Sequence, residues 1–167
     1  FGATHRGRPV SSYGSMAAMS FHATKNISCG EGGALLLNDR SLLHAAEMIR
    51  EKGTDRGRFL RGEIDKYTSR CVGSSYLPSD VNAAILSAQL EAADATQRGR
   101  HAAWSTYHAE LAPRADRLGL TLQRFTADDT HPAHMFAFLT ATADTRTRLL
   151  ARLAARGIRA VSHYEPL

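Results

Sequence analysis

Cysteine is scarce in this chain: Cys29 and Cys71 are the only two in 167 residues. They are too few and too far apart for a disulfide scaffold or a zinc framework, and both read as free thiols. Long apolar runs are also missing. The longest stretches fall far short of the roughly 20 residues that cross a bilayer. No charged leader followed by an apolar run and a cleavage site opens the sequence, so a soluble, cytoplasmic protein is expected. Aromatic residues make up only 7% and do not interleave with the basic ones, which argues against a nucleic-acid surface. The eight histidines are dispersed. His131 and His134 come closest to a pair, and Pro132 between them argues against a helix presenting both, so no metal site is expected. There is no internal repeat and no low-complexity tract.

What the chain does have is a 43% hydrophobic content, enough to bury a core, and a net charge of +5 that permits an anionic partner. Its most informative stretch is Ser20-Phe-His-Ala-Thr-Lys25-Asn26, followed by Gly30-Glu-Gly-Gly33. A lysine that forms an imine must sit where its amine can lose a proton. Phe21 and Ile27 are apolar neighbours that can desolvate the Lys25 ammonium, while Ser20 and Asn26 offer hydrogen bonds to a polar ligand. The glycines beyond let backbone approach a ligand or turn sharply. They do not make a dinucleotide fingerprint, which needs a strand before and a helix after, and Glu31 between them reads as fixing a turn rather than as an acid.

Strand-like and helix-like segments alternate, so the expected class is α/β. Ser15–Ser20 reads as a buried strand delivering the Lys25 loop, and Gly33–Leu37 as a second strand. A helix is expected from near Ser41 to Gly53, then a long loop rich in glycine and arginine over 54–76. Pro78-Ser79-Asp80 opens a helix running from Val81 to about Asp94, and another spans about Arg98 to Leu111. Beyond Pro113 the stretches Leu118–Phe125, His134–Thr140 and Ile158–Tyr164 read as strands, with a helix over Asp144–Arg156 stopped by Gly157. Both ends read as cut: the sequence opens at Phe1 without methionine and stops just past the last expected strand.

These segments, together with Tyr76-Leu-Pro-Ser-Asp80-Val-Asn-Ala-Ala84 and His163-Tyr164-Glu-Pro-Leu167, resemble the DegT/DnrJ/EryC1/StrS family of pyridoxal-phosphate-dependent sugar aminotransferases through nearly the whole chain. Arg50-Glu-Lys-Gly-Thr54, Arg61-Gly62, Asp65-Lys-Tyr-Thr68 and Gly73-Ser-Ser-Tyr-Leu-Pro-Ser-Asp80 are most similar to its dTDP-4-amino-4,6-dideoxygalactose transaminase branch. The resemblance implies a fold type I transferase of the aspartate aminotransferase kind, incomplete at both ends. Residues 1–112 are then the C-terminal part of a large cofactor domain with a seven-stranded sheet, including a connecting helix, and 113–167 are part of a small C-terminal α/β domain. It further implies pyridoxal 5'-phosphate as cofactor and a homodimer with shared active sites. Glutamate is the implied amino donor and dTDP-4-keto-6-deoxyglucose the implied acceptor, giving a dTDP-4-amino-4,6-dideoxyhexose.

Residue by residue, Lys25 matches the family lysine that carries the cofactor as a Schiff base. Sugar dehydratases of the same family have histidine there, so a lysine implies transamination. Ser20 matches a serine that binds the cofactor phosphate, whose oxygens accept several hydrogen bonds. His22 and Asn26 flank the lysine as candidate cofactor contacts, with space filling as the other reading of His22. Ser75 stands where some family members send an asparagine from the partner subunit to the phosphate. His163 and Tyr164 match a segment near the sugar pocket, with packing as the alternative. An aspartate for the pyridine nitrogen is implied just upstream of Phe1, so the chain by itself is expected to be inactive. The competing reading is a non-catalytic module that binds a phosphate ligand or nucleic acid through the basic loop 54–70, which carries Arg56, Arg58, Arg61, Lys66 and Arg70. The same loop is a candidate to face a nucleotide diphosphate.

Overall fold

The computed structural model describes residues 1–164; Glu165, Pro166 and Leu167 of the terminal motif lie outside them. In chain order the elements are β1 (Thr4–His5), β2 (Arg8–Pro9), β3 (Met16–Ser20), β4 (Gly33–Leu37), α1 (Leu43–Arg50), α2 (Arg56–Leu60), α3 (Asp80–Glu91) and α4 (Ala93–Leu111), followed by α5 (Ala115–Leu118), β5 (Leu120–Leu122), β6 (Asp129–Thr130), β7 (Phe138–Thr140) and α6 (Ala143–Ala154). The chain divides into two compact units, Phe1–His101 with Phe125–His134, and Ala102–Arg124 with the chain from Met135 on. No described helix is long and apolar enough to cross a membrane.

The first unit is organised by the β3–β4 hairpin, paired antiparallel from Met16↔Leu37 to Ser20↔Gly33. Its connection folds back on itself: Phe21 donates its amide to the Gly32 carbonyl, Ala23 to Gly30, and Cys29 to Phe21. Phe21, Ile27 and Cys29 thereby point into a buried cluster with Ala93 of α4, against which Met19 and Leu86 pack. Ile27 is fully buried, and removing a side chain of that size from water contributes about 1.5–3 kcal/mol. Helix α3 starts where Ser79 accepts a hydrogen bond from the Asn82 amide, with Asp80 in the first turn, a cap and charge that satisfy free N–H groups at the positive end of the helix dipole. The helix expected from Arg98 begins earlier, at Ala93, because Ala92 and Thr96 both continue the backbone ladder past α3.

Residues 54–76 are not a plain loop. Isolated bridges Glu51↔Ser75 and Thr54↔Ser69 close the excursion at its base, and α2 forms inside it. The buried Asp55 carboxylate accepts from the Thr68 amide (2.7 Å) and from Arg70 Nε (2.6 Å). The Thr68 N–H and then the Arg70 guanidinium hold its carboxyl below the usual carboxylate range. Tertiary pairing thus organises a segment whose glycine and arginine content gives no regular pattern.

β1, β2 and β6 form a small antiparallel sheet in the order β2-β1-β6. Asp129 of β6 meets His5 of β1 at 2.8 Å (Oδ1 to Nδ1) and accepts from the Thr126 hydroxyl at 2.7 Å. The hydrogen bond from His5, and then those from Thr126, lower the Asp129 carboxyl from its ordinary 3.8 to about 2. Because the folded value lies below the unfolded one, this contact stabilises the sheet above the ordinary carboxylate value and loses its contribution as pH falls toward 2. A carbon-detected NMR titration should find the Asp129 midpoint raised toward 3.8 in His5→Phe; an unmoved midpoint would contradict the assigned cause.

In the second unit Gly119, in the left-handed conformation (φ 64°), ends α5 and delays the expected 118–125 strand to β5, which pairs antiparallel with β7. The expected strand over 134–140 shrinks to β7 because the backbone before it bonds to side chains instead of a neighbouring strand. In the first unit Arg100 Nη1 donates to the His134 carbonyl, and in the second the Ala137 amide donates to Gln123 Oε1. Thr142 caps α6 by accepting from the Thr145 amide. Beyond Gly157 (φ 72°), the strand expected over Ile158–Tyr164 does not form: no described strand pairs with it, and alternation of side chains makes no strand without a ladder partner. The described strands make three small sheets, so the seven-stranded sheet implied by the resemblance is not contained in them.

Candidate functional site

Lys25 lies in a tight turn of the β3–β4 connection, its amide donating to the His22 carbonyl at 2.8 Å. Its side chain is exposed, and among the described residues it has no ion pair or hydrogen bond. This corrects the expectation that Phe21 and Ile27 cover the amine. Both are buried in the cluster beneath the turn, so they anchor the loop and leave the ammonium in solvent. The geometry suits a nucleophile that must be reached: a rigid underside and a free amine on top.

The other residues of the segment divide by role. Ser20 ends β3 with an exposed side chain; its hydroxyl oxygen accepts from the His22 amide at 3.3 Å, which leaves the hydroxyl proton available to an acceptor. His22 Nδ1 is 2.9 Å from Thr24 Oγ1 and accepts from the Thr24 amide at 3.2 Å. Its Nε2 lies 3.4 Å from Glu31 Oε1. Asn26 is placed differently from the expected ligand contact. It is buried, and its Nδ2 donates to the Phe1 carbonyl (3.1 Å) and to Gln97 Oε1 (2.8 Å), so the amide ties the lysine turn to α4. Gln97 in turn donates to the Pro132 carbonyl. Nothing in the sequence marks Gln97 as a partner of Asn26, since the two are 71 positions apart.

The glycine turn after Lys25 borders a groove of about 360 Å3 lined by Glu31, Gly32, Ser75, Tyr76, Pro78 and Asn82. Ser75 therefore shares a groove with the turn that follows the lysine. A smaller apolar groove of about 230 Å3 runs on past Cys29, Ala83, Leu86 and Leu90. Asn82 Nδ2 donates to the Glu31 carbonyl at 2.9 Å and fixes the turn to α3. Large apolar side chains near Ser75 and Asn82 in sequence are exposed: Val72 is 94% exposed, Val81 68% and Tyr76 67%. His163 and Tyr164 belong to the second unit, with ring centroids 4.5 Å apart and both side chains exposed.

The arginines of the basic loop are paired with carboxylates inside the loop and just before it. Arg56 meets Glu51 at 2.6 Å, Arg58 meets Glu63 at 3.1 Å, Arg61 contacts both Glu63 and Glu47, and Arg70 meets the buried Asp55. Exposed pairs of this kind contribute little stability, but each occupies a guanidinium face that an incoming phosphate would need. Of the loop's cations, Lys66 alone has no ion pair among the described residues. The arrangement does not favour a phosphate or nucleic-acid surface here.

Comparison with known proteins gives a consistent result. The family model described as the DegT/DnrJ/EryC1/StrS aminotransferase family matches residues 1–167. The dTDP-3-amino-3,4,6-trideoxy-alpha-D-glucose transaminase of Streptomyces venezuelae is 33% identical over 165 residues, covering 98% of this chain and 39% of that protein. The L-glutamine:scyllo-inosose aminotransferase of Streptomyces griseus is 36% identical over 129 residues, covering 73% of this chain and 28% of that one. Among solved structures, AtS13 from Actinomadura melliaura aligns with a TM-score of 0.82 at 31% identity, covering 98% of this chain and 42% of that structure. The chain spans less than half the length of these relatives.

Proposed function

The chain belongs to the DegT/DnrJ/EryC1/StrS aminotransferase family, and from that membership we propose that the protein carrying it is a pyridoxal-phosphate-dependent aminotransferase acting on a nucleotide-linked keto sugar. Its α/β fold is that of the corresponding part of the type I aminotransferase structures. The observation that carries the reading is Lys25: an exposed amine without an ion pair among the described residues, raised on a turn whose buried underside holds it in place.

The residues present fit the cofactor. A primary amine free of salt bridges can condense with an aldehyde, and the Ser20 hydroxyl, whose oxygen already accepts from the His22 amide, has its proton free for a phosphate oxygen. When bound, pyridoxal phosphate supplies the carbonyl that amines attack and the electron sink that acidifies the adjacent carbon. Lys25 Nζ then holds the proton taken from the donor's α-carbon and passes it on. Asn26 acts beneath the turn through Gln97 and the Phe1 carbonyl rather than on the cofactor. Ser75 is proposed to contribute from the partner subunit of a homodimer, on the strength of the resemblance of the Gly73–Asp80 segment. His163 and Tyr164 are proposed as sugar contacts on the strength of the resemblance of their segment.

The acceptor we propose is dTDP-4-keto-6-deoxyglucose with glutamate as donor, on the strength of the Arg50–Thr54 and Gly73–Asp80 segments. The test is product analysis with the full-length enzyme. Incubation with that sugar nucleotide and glutamate should give a dTDP-4-amino-4,6-dideoxyhexose. Amination at carbon 3, or conversion only of a free cyclitol ketone, would overturn the proposed acceptor while leaving the aminotransferase reading intact. The competing phosphate- or nucleic-acid-binding module loses its main support because its arginines are already paired.

A further inference from the structure

We propose that Glu31 is a positioning residue for Lys25, acting through His22, a role that rests on the aminotransferase reading above. The Thr24 backbone N–H, 3.2 Å from His22 Nδ1, can only donate. Nδ1 must therefore present a lone pair, and the Thr24 hydroxyl at 2.9 Å donates to the same nitrogen. The ring proton is left on Nε2, which faces Glu31 Oε1 at 3.4 Å. Thr24 thus selects a single tautomer, and the Glu31 carboxylate lies against the opposite, protonated side of the ring.

This contact closes the lysine loop across its mouth. His22 and Glu31 lie one residue in from either end of the connection, and Lys25 sits between them with its amide bonded to the His22 carbonyl. Glu31 itself is held in place: its carbonyl accepts from Asn82 Nδ2 at 2.9 Å and from Cys29 Sγ at 3.5 Å. A change of position at Glu31 is therefore transmitted to His22, and from there to the turn that carries the amine. Because the His22 and Glu31 side chains are 44% and 83% exposed, their pairing contributes little to stability, and its effect is geometric.

Two readouts test this on the full-length protein. In the cofactor-free protein, nitrogen NMR of labelled histidine should report His22 protonated at Nε2 in wild type, Glu31→Gln and Glu31→Ala alike, because the Thr24 amide sets the tautomer, with the Nε2 resonance displaced only in Glu31→Ala, where no side-chain oxygen faces it. On adding pyridoxal phosphate, the visible band of the lysine imine should form about tenfold more slowly in Glu31→Ala and within about twofold of wild type in Glu31→Gln, the scale expected of a misplaced reacting group. Thermal midpoints should coincide. An Nδ1-protonated His22 in wild type, a Glu31→Ala protein that matches wild type in both readouts, or a Glu31→Gln protein as slow as Glu31→Ala would each overturn the proposal. A wild-type protein that forms no visible band overturns the aminotransferase reading and this role with it, whereas a normal wild-type band unaffected by Glu31→Ala overturns the role alone.

Discussion

Replacing Lys25 by alanine is expected to lower kcat of the full-length enzyme by about 10⁴-fold or more, because it removes both the imine-forming amine and the group that moves the proton, and proton transfer alone contributes about 10²–10⁴-fold. Lys25→Arg should be as inactive, since a guanidinium keeps the charge but cannot form the imine. The folded state should be untouched in both variants. Lys25 is exposed and has no ion pair among the described residues, while the loop is held from below by Phe21, Ile27 and Asn26. Single-turnover kinetics alongside thermal midpoints will separate the two effects. A Lys25→Ala enzyme that keeps a substantial share of wild-type turnover would contradict the assignment.

The second large effect is on stability. Gly53→Ala and Gly73→Ala should each cost about 3–5 kcal/mol, at the upper end for single substitutions, and release the 51–76 excursion to protease. A methyl group at Gly53 would overlap the Cys71 carbonyl and lie 3.1 Å from the Gly73 amide nitrogen, and one at Gly73 would lie 2.7 Å from the Ile49 carbonyl oxygen and 2.8 Å from Gly53 Cα. These are backbone atoms, which cannot swing aside. Gly53 also has φ +74°, a conformation that costs an L-residue about 1–2 kcal/mol. Gly62 is the internal control: its φ is +72° but nothing lies within 4 Å of an added methyl, so Gly62→Ala should cost only the conformational part, about 1–2 kcal/mol. Equal losses at Gly53 and Gly62 would show that close backbone packing is not what closes the excursion.

Local pattern carries the β3–β4 hairpin and α3 of the first unit, although β3, expected to be buried, alternates exposed and half-buried side chains. The hairpin is visible in the small and apolar runs around residues 16–20 and 33–37, and α3 in its Ser79-Asp80 cap, because those signals depend on neighbours in sequence. Where partners are distant, the pattern misleads. Residues 54–76 look like a loop until Asp55 meets Thr68 and Arg70, and 158–164 look like a strand although no described strand pairs with them. The same division holds at the site. Spacing and resemblance single out Lys25 and Ser20, which the structure leaves exposed, while the assignment of Phe21 and Ile27 to desolvation mistakes nearness in sequence for nearness of side chains. Asn26 is a case of correct chemistry in the wrong direction: it donates hydrogen bonds as expected, but inward to Gln97 and Phe1. The glycines around Glu31 point to a turn-fixing role, and the structure adds what its carboxylate faces, the Nε2 of His22.

The central claim is that Lys25 carries the cofactor. Reduction of the full-length protein with borohydride after loading with pyridoxal phosphate, followed by digestion and peptide mass mapping, tests it directly. The account predicts a pyridoxyl group on the peptide containing Lys25 and none on Lys52 or Lys66, both of which are also exposed. A label on Lys52 or Lys66, or a fully loaded protein with Lys25 unmodified, would contradict it.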